Sequence, residues 1–572
     1  MAEKTGRFGI IEQLLADGIE YMFGNPGTVE QGFLDAIRAY PRMKYILALQ
    51  ESVALMIGDG YARATKRPAL VQIHSTPGLG NAIGAMYQAM RGHAPLVVIG
   101  ADAGLRYMPL DAQMAGDLVA FARPVTKWSA MVLDPSSLLR MLRRAIKIAG
   151  TPPMGPVYLC LPADVLDSPT VEAIVPTSIP STRVAPEESF LLEAARILAE
   201  AKHPMIFMGD GVSCSGAQAE LARVAELLGA EIWGVDAGEL NVSYSHPLYQ
   251  GQTGHMFGPS SLPITSRGDA NLVCGTYMLP EVFPHLGDIF APAAKVIHID
   301  LNAYEIAKNH RVDLGVASDP RLTLAELASA LERVMSGKQK EAARTRMARI
   351  GAENEKKRAQ QIEADKAVRE EVPLHASRFM EELARLLPQD AVIFDEALTS
   401  SPELTRYMPP SKPGQFFQTR GGSLGVGIPG ALGLKLANPG KTVVGFTGDG
   451  GSLYTIQALW TAAHHRIGSK FVVVNNQSYM LLELNILQYW KDQGIEEHAF
   501  PDSFLLSDPV VDFASLARAM GVPAVRVAKP EEIVPSIRTM LETDGPFLID
   551  LVVTSRVPGA KNLVSDNGGK KP

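Results

Sequence analysis

Val443-Val444-Gly445-Phe446-Thr447-Gly448-Asp449-Gly450-Gly451-Ser452 constrains this chain more than any other stretch. An apolar strand runs into a glycine turn carrying one carboxylate, and a helical pattern follows from Leu453 to His464. A second strand, Phe471 to Val474, then ends in Asn475-Asn476. In a parallel βαβ unit this puts Asp449 and Asn476 at the carboxyl ends of nearby strands, where open α/β sheets bind ligands. A carboxylate and an amide oxygen are hard ligands that suit Mg²⁺ carrying phosphate oxygens. The glycines free backbone N–H groups, and a helix N-terminus beside them suits a diphosphate. A Gly-Asp-Gly triplet alone is weak: Gly58-Asp59-Gly60 repeats it inside a helical pattern, with no strand directly before it and no Asn pair after it. The turn is not Gly-x-Gly-x-x-Gly, which argues against a dinucleotide there.

The rest of the chain has the same alternating character. Strands at Glu20–Phe23, Tyr45–Ala48, Ala69–Ile73, Pro95–Gly100 and Gly155–Pro162 alternate with helices over residues 1–170, predicting a parallel α/β sheet. Here the helix Ser52–Ala64 follows Glu51, and a loop His74–Asn81 precedes a helix from Ala82. A Ser-, Thr- and Pro-rich linker spans Asp167–Pro186. Residues 187–335 form a second α/β domain, 336–371 a charged helical connection, 372–560 a third α/β domain, and 561–572 a tail. The first and third domains share a plan, with Arg67–His74 comparable to Gly440–Thr447, so two copies of one domain flank a different one. The net charge of −7 gives no reason to expect nucleic acid or an anionic membrane as partner, and no apolar run reaches spanning length. Cys160, Cys214 and Cys274 lie far apart and read as small buried residues in a reducing compartment. The N-terminus lacks a secretory apolar core, and the expected location is cytoplasmic.

Gly448-Asp449-Gly450…Asn475-Asn476 resembles the signature of thiamine-diphosphate-dependent enzymes. Phe23–Thr28, Ala48–Glu51, Ile73–Ser75, Gly155–Leu159, Gly422–Gly425 and Ala458–Ala463 extend the resemblance towards the 2-keto acid decarboxylases and carboligases, benzoylformate decarboxylases above all. The resemblance implies pyrimidine-binding and diphosphate-binding domains around a central one, with thiamine diphosphate and Mg²⁺ as cofactors. It implies Asp449, Asn476 and the Ser478 backbone oxygen as metal ligands. Ala397, Leu398 and Thr399 in the Asp395–Thr399 turn, with Gly448, Gly450, Gly451 and Ser452, would hold the diphosphate. Leu424 would support the V-shaped cofactor, the Gly422 backbone would face its aminopyrimidine, and Tyr479 would adjoin it. The family's usual assembly, a homodimer or homotetramer with the site at the interface, comes with it.

Glu51 ends a strand among Leu47, Ala48, Leu49 and a small-residue helix, a desolvated setting that suits proton exchange with a cofactor ring nitrogen. His74 ends the strand Ala69–Ile73 and is expected to point into the crevice, in a proton-transfer or substrate-orienting role. Thr28 stands where the family has a Ser that contacts the substrate carboxylate. Asn25, Leu481, Leu482 and His285 complete the expected substrate pocket, whose wall after Tyr479 is apolar. The family's second histidine is missing from Thr276–His285: His285 is displaced, and His255 is another candidate. The resemblance implies decarboxylation of a 2-keto acid to an aldehyde through an enamine. The alternative is a carboligase, in which the same enamine meets another carbonyl such as an aldehyde, or a 2-hydroxyacyl-CoA or acyloin lyase using the same intermediate, and the acetolactate synthase loop pattern is absent after Asn476. The turn Gly209–Ser213 offers a separate nucleotide-binding reading of the central domain, although it lacks the third glycine.

Overall fold

The apolar runs become the inner strands of three six-stranded sheets in a computed structural model that describes residues 4–170 and 172–555. The first sheet comprises β1 (Tyr21–Gly24), β2 (Lys44–Leu47), β3 (Ala69–His74), β4 (Leu96–Asp102), β5 (Trp128–Met131) and β6 (Val157–Pro162). Its order is β2-β1-β3-β4-β6-β5, with every pair parallel. Helices cover both faces of such a sheet, so β4 and β6 are buried along their whole length and read as unbroken apolar runs. Ile10, Leu14, Leu142 and Ile146 from two helices pack with Val97 and Leu159 in one layer. The helices Glu51–Thr65 and Ser75–Arg91 pack together and against β3.

The central sheet holds β7 (Pro204–Met208), β8 (Glu231–Gly234), β9 (Tyr249–Gln252), β10 (Ala270–Cys274), β11 (Lys295–Asp300) and β12 (Leu314–Ala317), in the order β12-β11-β10-β7-β8-β9. Counted within the domain this is 3-2-1-4-5-6 read from one edge, the doubly wound order. Leu221, Val224, Leu327 and Leu331 close its core over Ile206, Leu272 and Ile297.

The chain falls into two compact units, one running to Ala359 and including Pro410–Ser423 and Leu432–Pro439, the other made of Gln360–Pro409, Leu424–Ala431 and the chain from Gly440. In the third sheet β13 (Val392–Glu396), β15 (Val443–Gly448), β16 (Lys470–Asn475), β17 (Ala524–Val527) and β18 (Phe547–Val552) follow the order β13-β15-β16-β18-β17, and β14 is Phe416–Gln418. This repeats the β1-β3-β4-β6-β5 order of the first sheet. The internal symmetry read from Arg67–His74 and Gly440–Thr447 is therefore real: β3 and β15 are each the third strand of their domain.

Several elements differ from expectation. The loop expected at His74–Asn81 is helical from Ser75. Pro77 lies in the first turn, where a missing N–H costs nothing, and Gly78 lets the helix approach Glu51 closely, since a Cβ there would lie 3.0 Å from its Oε1. The helix expected at Leu453–His464 is split into Asp449–Ser452 and Ala458–His464. Between them the backbone closes three-residue turns, Tyr454 N–H to Gly451 O and Ala458 N–H to Thr455 O, while the Thr455 hydroxyl donates to Gly425 O. Strands β5, β8, β9, β10, β12, β14, β17 and β18 carried no assignment in the sequence reading. Gly337–Ala367 is one 31-residue helix. Cys160 and Cys274 are buried, but Cys214 is only half-buried, unlike the expectation for all three. No helix among the described residues is long and apolar enough to cross a membrane. The tail at 561–572 lies outside the described residues.

Candidate active site

In the first domain the strand ends bring Asn25, Glu51 and His74 to the same edge of the sheet. Glu51 opens the helix Glu51–Thr65, whose N-terminus is capped by the Gln50 side chain accepting from Ser52 N–H (2.6 Å) and Val53 N–H (3.2 Å). Glu51 is buried, and its two oxygens accept from Asn25 Nδ2 (3.2 Å) and Asn81 Nδ2 (3.0 Å). Asn25 is thus tied to Glu51, a link that spacing alone did not reveal. The two amide donors hold the carboxyl group in one orientation.

His74 closes β3, and its Nδ1 lies 2.9 Å from Glu30 Oε2. The next residue, Ser75, has a φ of 44°, a left-handed conformation that reverses strand into helix and is held by its hydroxyl donating to Met114 O at 3.1 Å. The imidazole lies against the Asn25–Thr28 turn: a Cβ on Gly27 would fall 1.9 Å from Nδ1. Thr28, on the same turn, is exposed. Glu30 escaped the sequence reading. It is 2% exposed, accepts from Ala101 N–H at 3.3 Å, and burial raises its carboxyl above the usual range while His74 pulls it back. The buried carboxylate orients the imidazole through one of its two ring nitrogens.

His285 lies on the central-domain segment after β10, packed against Gly258 and Gly287. The neighbouring Val282 and Phe283 are exposed, Phe283 stacks on Phe257, and Val282 N–H donates to His255 O at 3.2 Å. Where the resemblance calls for a second histidine, the segment presents the exposed apolar pair Val282–Phe283, with the His255 main chain bonded to Val282. A cavity of about 600 Å³ opens at the carboxyl ends of β7 and β10, lined in part by Asp210, Gly211, Thr276, Tyr277 and Arg420. At the Gly209–Ser213 turn, however, Asp210 is fully committed: it accepts from Gly238 N–H, Glu239 N–H and Asn241 Nδ2 and pairs with Arg420 at 3.2 Å. A phosphate on this turn would face that buried carboxylate, which weakens the nucleotide reading.

In the third domain, Asp449 is the first residue of the short helix Asp449–Ser452 at the end of β15. Its Oδ1 accepts from Gly450 N–H (2.7 Å) and its Oδ2 from Gln477 N–H (2.5 Å). Burial pushes its carboxyl up to about 6, with these backbone donors opposing the shift. Strand alternation separates the Asn pair: Asn475 faces the sheet and donates to Asp550 at 2.9 Å, while Asn476 emerges at the strand end, its Oδ1 accepting from Ser478 N–H at 3.0 Å. Tyr479 caps the helix Met480–Gln493 and lays its ring on Gly450, where a Cβ would fall 2.4 Å from Cε1. A Cβ on Gly448, by contrast, would meet nothing within 4 Å. The turn thus has an open side for a ligand and a side closed by Tyr479. Ser452 is buried and its hydroxyl donates to Asp449 O, so it braces the turn. Among the described residues no cluster of three His, Cys, Asp or Glu side chains forms a metal cage. One carboxylate, one amide oxygen and a main-chain carbonyl leave room for phosphate oxygens, a donor set that fits Mg²⁺ bound together with its diphosphate.

Ala397 is buried and Leu398 takes a φ of 48° in the turn after β13, which Asp395 stabilises by accepting from Ala397 N–H and the Ser401 hydroxyl. Thr399 follows, half-buried, in a single 3-10 turn. Leu424 is half-buried, and the chain directly after it is pinned by a second carboxylate the sequence reading overlooked. Glu396 accepts from Gly425, Val426 and Gly427 N–H at 2.6, 3.2 and 2.7 Å and from the Thr447 hydroxyl at 3.1 Å. Leu481 and Leu482 begin the helix after Tyr479, Leu482 exposed. Gly422, with φ 71°, has open space where a Cβ would stand.

Geometry of this kind suits an α/β enzyme that takes a diphosphate together with its metal. Its three domains match the models of the thiamine pyrophosphate enzyme N-terminal TPP-binding domain (residues 4–121), central domain (191–327) and C-terminal TPP-binding domain (399–551). The chain belongs to the thiamine pyrophosphate enzymes and is of the decarboxylase and acetolactate synthase type. It is 29% identical to a benzoylformate decarboxylase of Pseudomonas aeruginosa, covering 96% of this chain and 98% of that one. It is also 29% identical to a probable acetolactate synthase large subunit of Methanocaldococcus jannaschii, over 96% of this chain and 92% of that one. In fold it resembles the crystal structure of benzoylformate decarboxylase from Polynucleobacter necessarius, with a TM-score of 0.83, 22% identity and 97% and 99% of the two chains covered. Enzymes of this family use thiamine diphosphate with a divalent metal such as Mg²⁺.

Proposed function

We propose that this protein decarboxylates a 2-keto acid of the benzoylformate kind to an aldehyde. Bound thiamine diphosphate supplies the nucleophilic carbon and the electron sink for loss of CO₂. Asp449, Asn476 and the Ser478 carbonyl hold the metal in this reading. The Gly448–Ser452 and Ala397–Thr399 turns hold the diphosphate, with Leu424, Gly422 and Tyr479 against the rest of the cofactor. Glu51, steadied by Asn25 and Asn81, exchanges a proton with the aminopyrimidine. His74, oriented by Glu30, carries a proton to or from the substrate, and the Thr28 hydroxyl takes its carboxylate. Leu481 and Leu482 offer an apolar wall suited to an aromatic or aliphatic substituent. The observation that carries the reading is the Glu30–His74 pair set against the Asn25–Thr28 turn, in a chain similar almost end to end to a benzoylformate decarboxylase. The proposal includes a cytoplasmic homodimer or homotetramer, which light scattering would size.

Carboligation is the second reading, favoured by the acetolactate synthase relative and by the apolar Val282–Phe283 pair where a second histidine is expected. Incubation with benzoylformate, pyruvate or oxalyl-CoA in Mg²⁺ and thiamine diphosphate, following CO₂ and aldehyde, separates the two. Benzaldehyde matching CO₂ from benzoylformate supports the proposal. CO₂ without free aldehyde moves the assignment to carboligation.

A further inference from the structure

The loop Asn476–Tyr479 places its ligand atoms with little help from chain length. Gln477 sits at φ 59°, in the left-handed region, a conformation that costs a non-glycine residue about 1 kcal/mol or more. The Gln477 N–H and Ser478 N–H are taken by Asp449 and Asn476, the two side chains that a metal would claim. Two further constraints come from the following segment: Leu506 N–H donates to Gln477 O and Tyr479 N–H to Phe504 O, both at 2.8 Å. The remaining restraint on Ser478 is its own hydroxyl, which donates to Glu483 Oε1 at 2.5 Å. Glu483 is 4% exposed, on the fourth residue of the helix Met480–Gln493 and preceded by Leu481 and Leu482. A buried carboxylate in such a setting is costly unless it is bonded, and the hydroxyl of Ser478 is the bond it makes here.

We infer that Glu483 is a positioning residue for the metal loop: by holding the Ser478 hydroxyl it fixes the Ser478 peptide so that the main-chain oxygen is presented to the metal. This rests on the reading of Asp449, Asn476 and Ser478 as metal ligands. It also explains why an acid stands in an otherwise apolar first turn. A role confined to the helix N-terminus needs only the negative charge, whereas a latch needs only an acceptor oxygen.

The test is Mg²⁺ affinity of the full-length protein, measured by titration calorimetry in saturating thiamine diphosphate and by Mn²⁺ electron paramagnetic resonance. The variants are Glu483→Ala, Glu483→Gln, Ser478→Ala, the Glu483→Ala/Ser478→Ala double variant and Asp449→Asn, each first checked for an intact apo-protein melting transition. Outer partners of metal ligands typically contribute ten- to a hundredfold in affinity, so Glu483→Ala and Ser478→Ala should each weaken binding about tenfold. The double variant should be no weaker than either single one, because both break the same bond. Glu483→Gln, which keeps the acceptor, should stay within about twofold of the parent. Unchanged affinity in Glu483→Ala while Asp449→Asn abolishes binding overturns the latch alone. So do additive single effects, or a Gln variant as weak as the Ala one. Unchanged affinity in Asp449→Asn instead overturns the metal-site reading beneath it.

Discussion

Replacing Glu396 by Ala should destabilise the diphosphate-binding domain more than any other single change near the turn it serves. The carboxylate is 1% exposed and accepts four hydrogen bonds, three of them from consecutive backbone N–H groups of Gly425, Val426 and Gly427. Burial pushes it up to about 7 and the four donors oppose that shift, so at pH 8 it is ionised and its bonds are charge-assisted. Removing it strands three backbone donors and a hydroxyl away from solvent, each costing about 1–3 kcal/mol less whatever an admitted water restores. The expected loss is about 3–6 kcal/mol. For a domain of this size that lowers its calorimetric transition by roughly 6–24 °C. Glu396→Gln keeps one accepting oxygen and turns an NH₂ group towards donors, so it should fall about midway. Thr447→Val, which removes one bond and leaves the rest, should cost about 1 kcal/mol. Differential scanning calorimetry of apo protein at pH 8 measures all three. A Glu396→Ala transition within about 2 °C of the parent would refute the argument, because it would mean the turn beside Leu424 finds its partners elsewhere.

Glu51→Gln should lower turnover by about 10²–10⁴ with the melting transition unchanged; near-full activity removes Glu51 from the proposed chemistry. Gly27→Ala puts a methyl carbon 1.9 Å from His74 Nδ1 without straining a left-handed backbone, so the ring must leave Glu30. The expected result is a large fall in kcat with thiamine diphosphate affinity retained, and a variant with more than half the parent activity shows that the ring position is immaterial. Asp300 has its carboxyl pushed from an ordinary 3.8 up to about 7 by burial. Between about pH 4 and 7 the folded protein then holds a proton that the unfolded chain has lost, so stability falls as pH rises through this window, by at most about 4 kcal/mol. Asp300→Asn keeps an acceptor for the Asn302 N–H and removes this dependence. Its melting temperature relative to the parent should therefore be higher at pH 8 than at pH 5, and equal differences at the two pH values would contradict the assignment.

What the sequence discloses and what it hides divide along one physical line. The Val443–Ser452 turn, the Asn pair and the strand end at His74 were legible because their information is local, whereas Glu51, expected to end a strand, opens the helix four residues beyond it. An apolar run, a glycine turn and a polar residue at the strand end follow one another within ten residues, and the fold then converts chain order into position. Leu314–Ala317 and Ala524–Val527 were not legible, because they are half-exposed edge strands without the continuous apolar run that doubly covered strands need, and the buried inner strands Ala270–Cys274 and Phe547–Val552 were missed because Asn271 and Asp550 interrupt their runs. The three carboxylates that shape the candidate site were not legible for a different reason. Glu30 meets His74 and Ala101, 44 and 71 positions away, and Glu396 meets partners 29 to 51 positions away. Glu483 is only five residues from Ser478, yet at the start of an amphipathic pattern a Glu reads as a solvated helix residue. Each is buried, and each bonds a loop that carries a proposed ligand or proton carrier. Where strand ends supply the reactive groups, the loops between them need fixed anchors, and a buried carboxylate that accepts N–H or O–H donors is a strong one. Such anchors contact nothing they are said to bind, so no motif carries them. They are found by asking what each buried acid beside the site is bonded to, and in this chain Glu30, Glu396 and Glu483 all answer with a site loop.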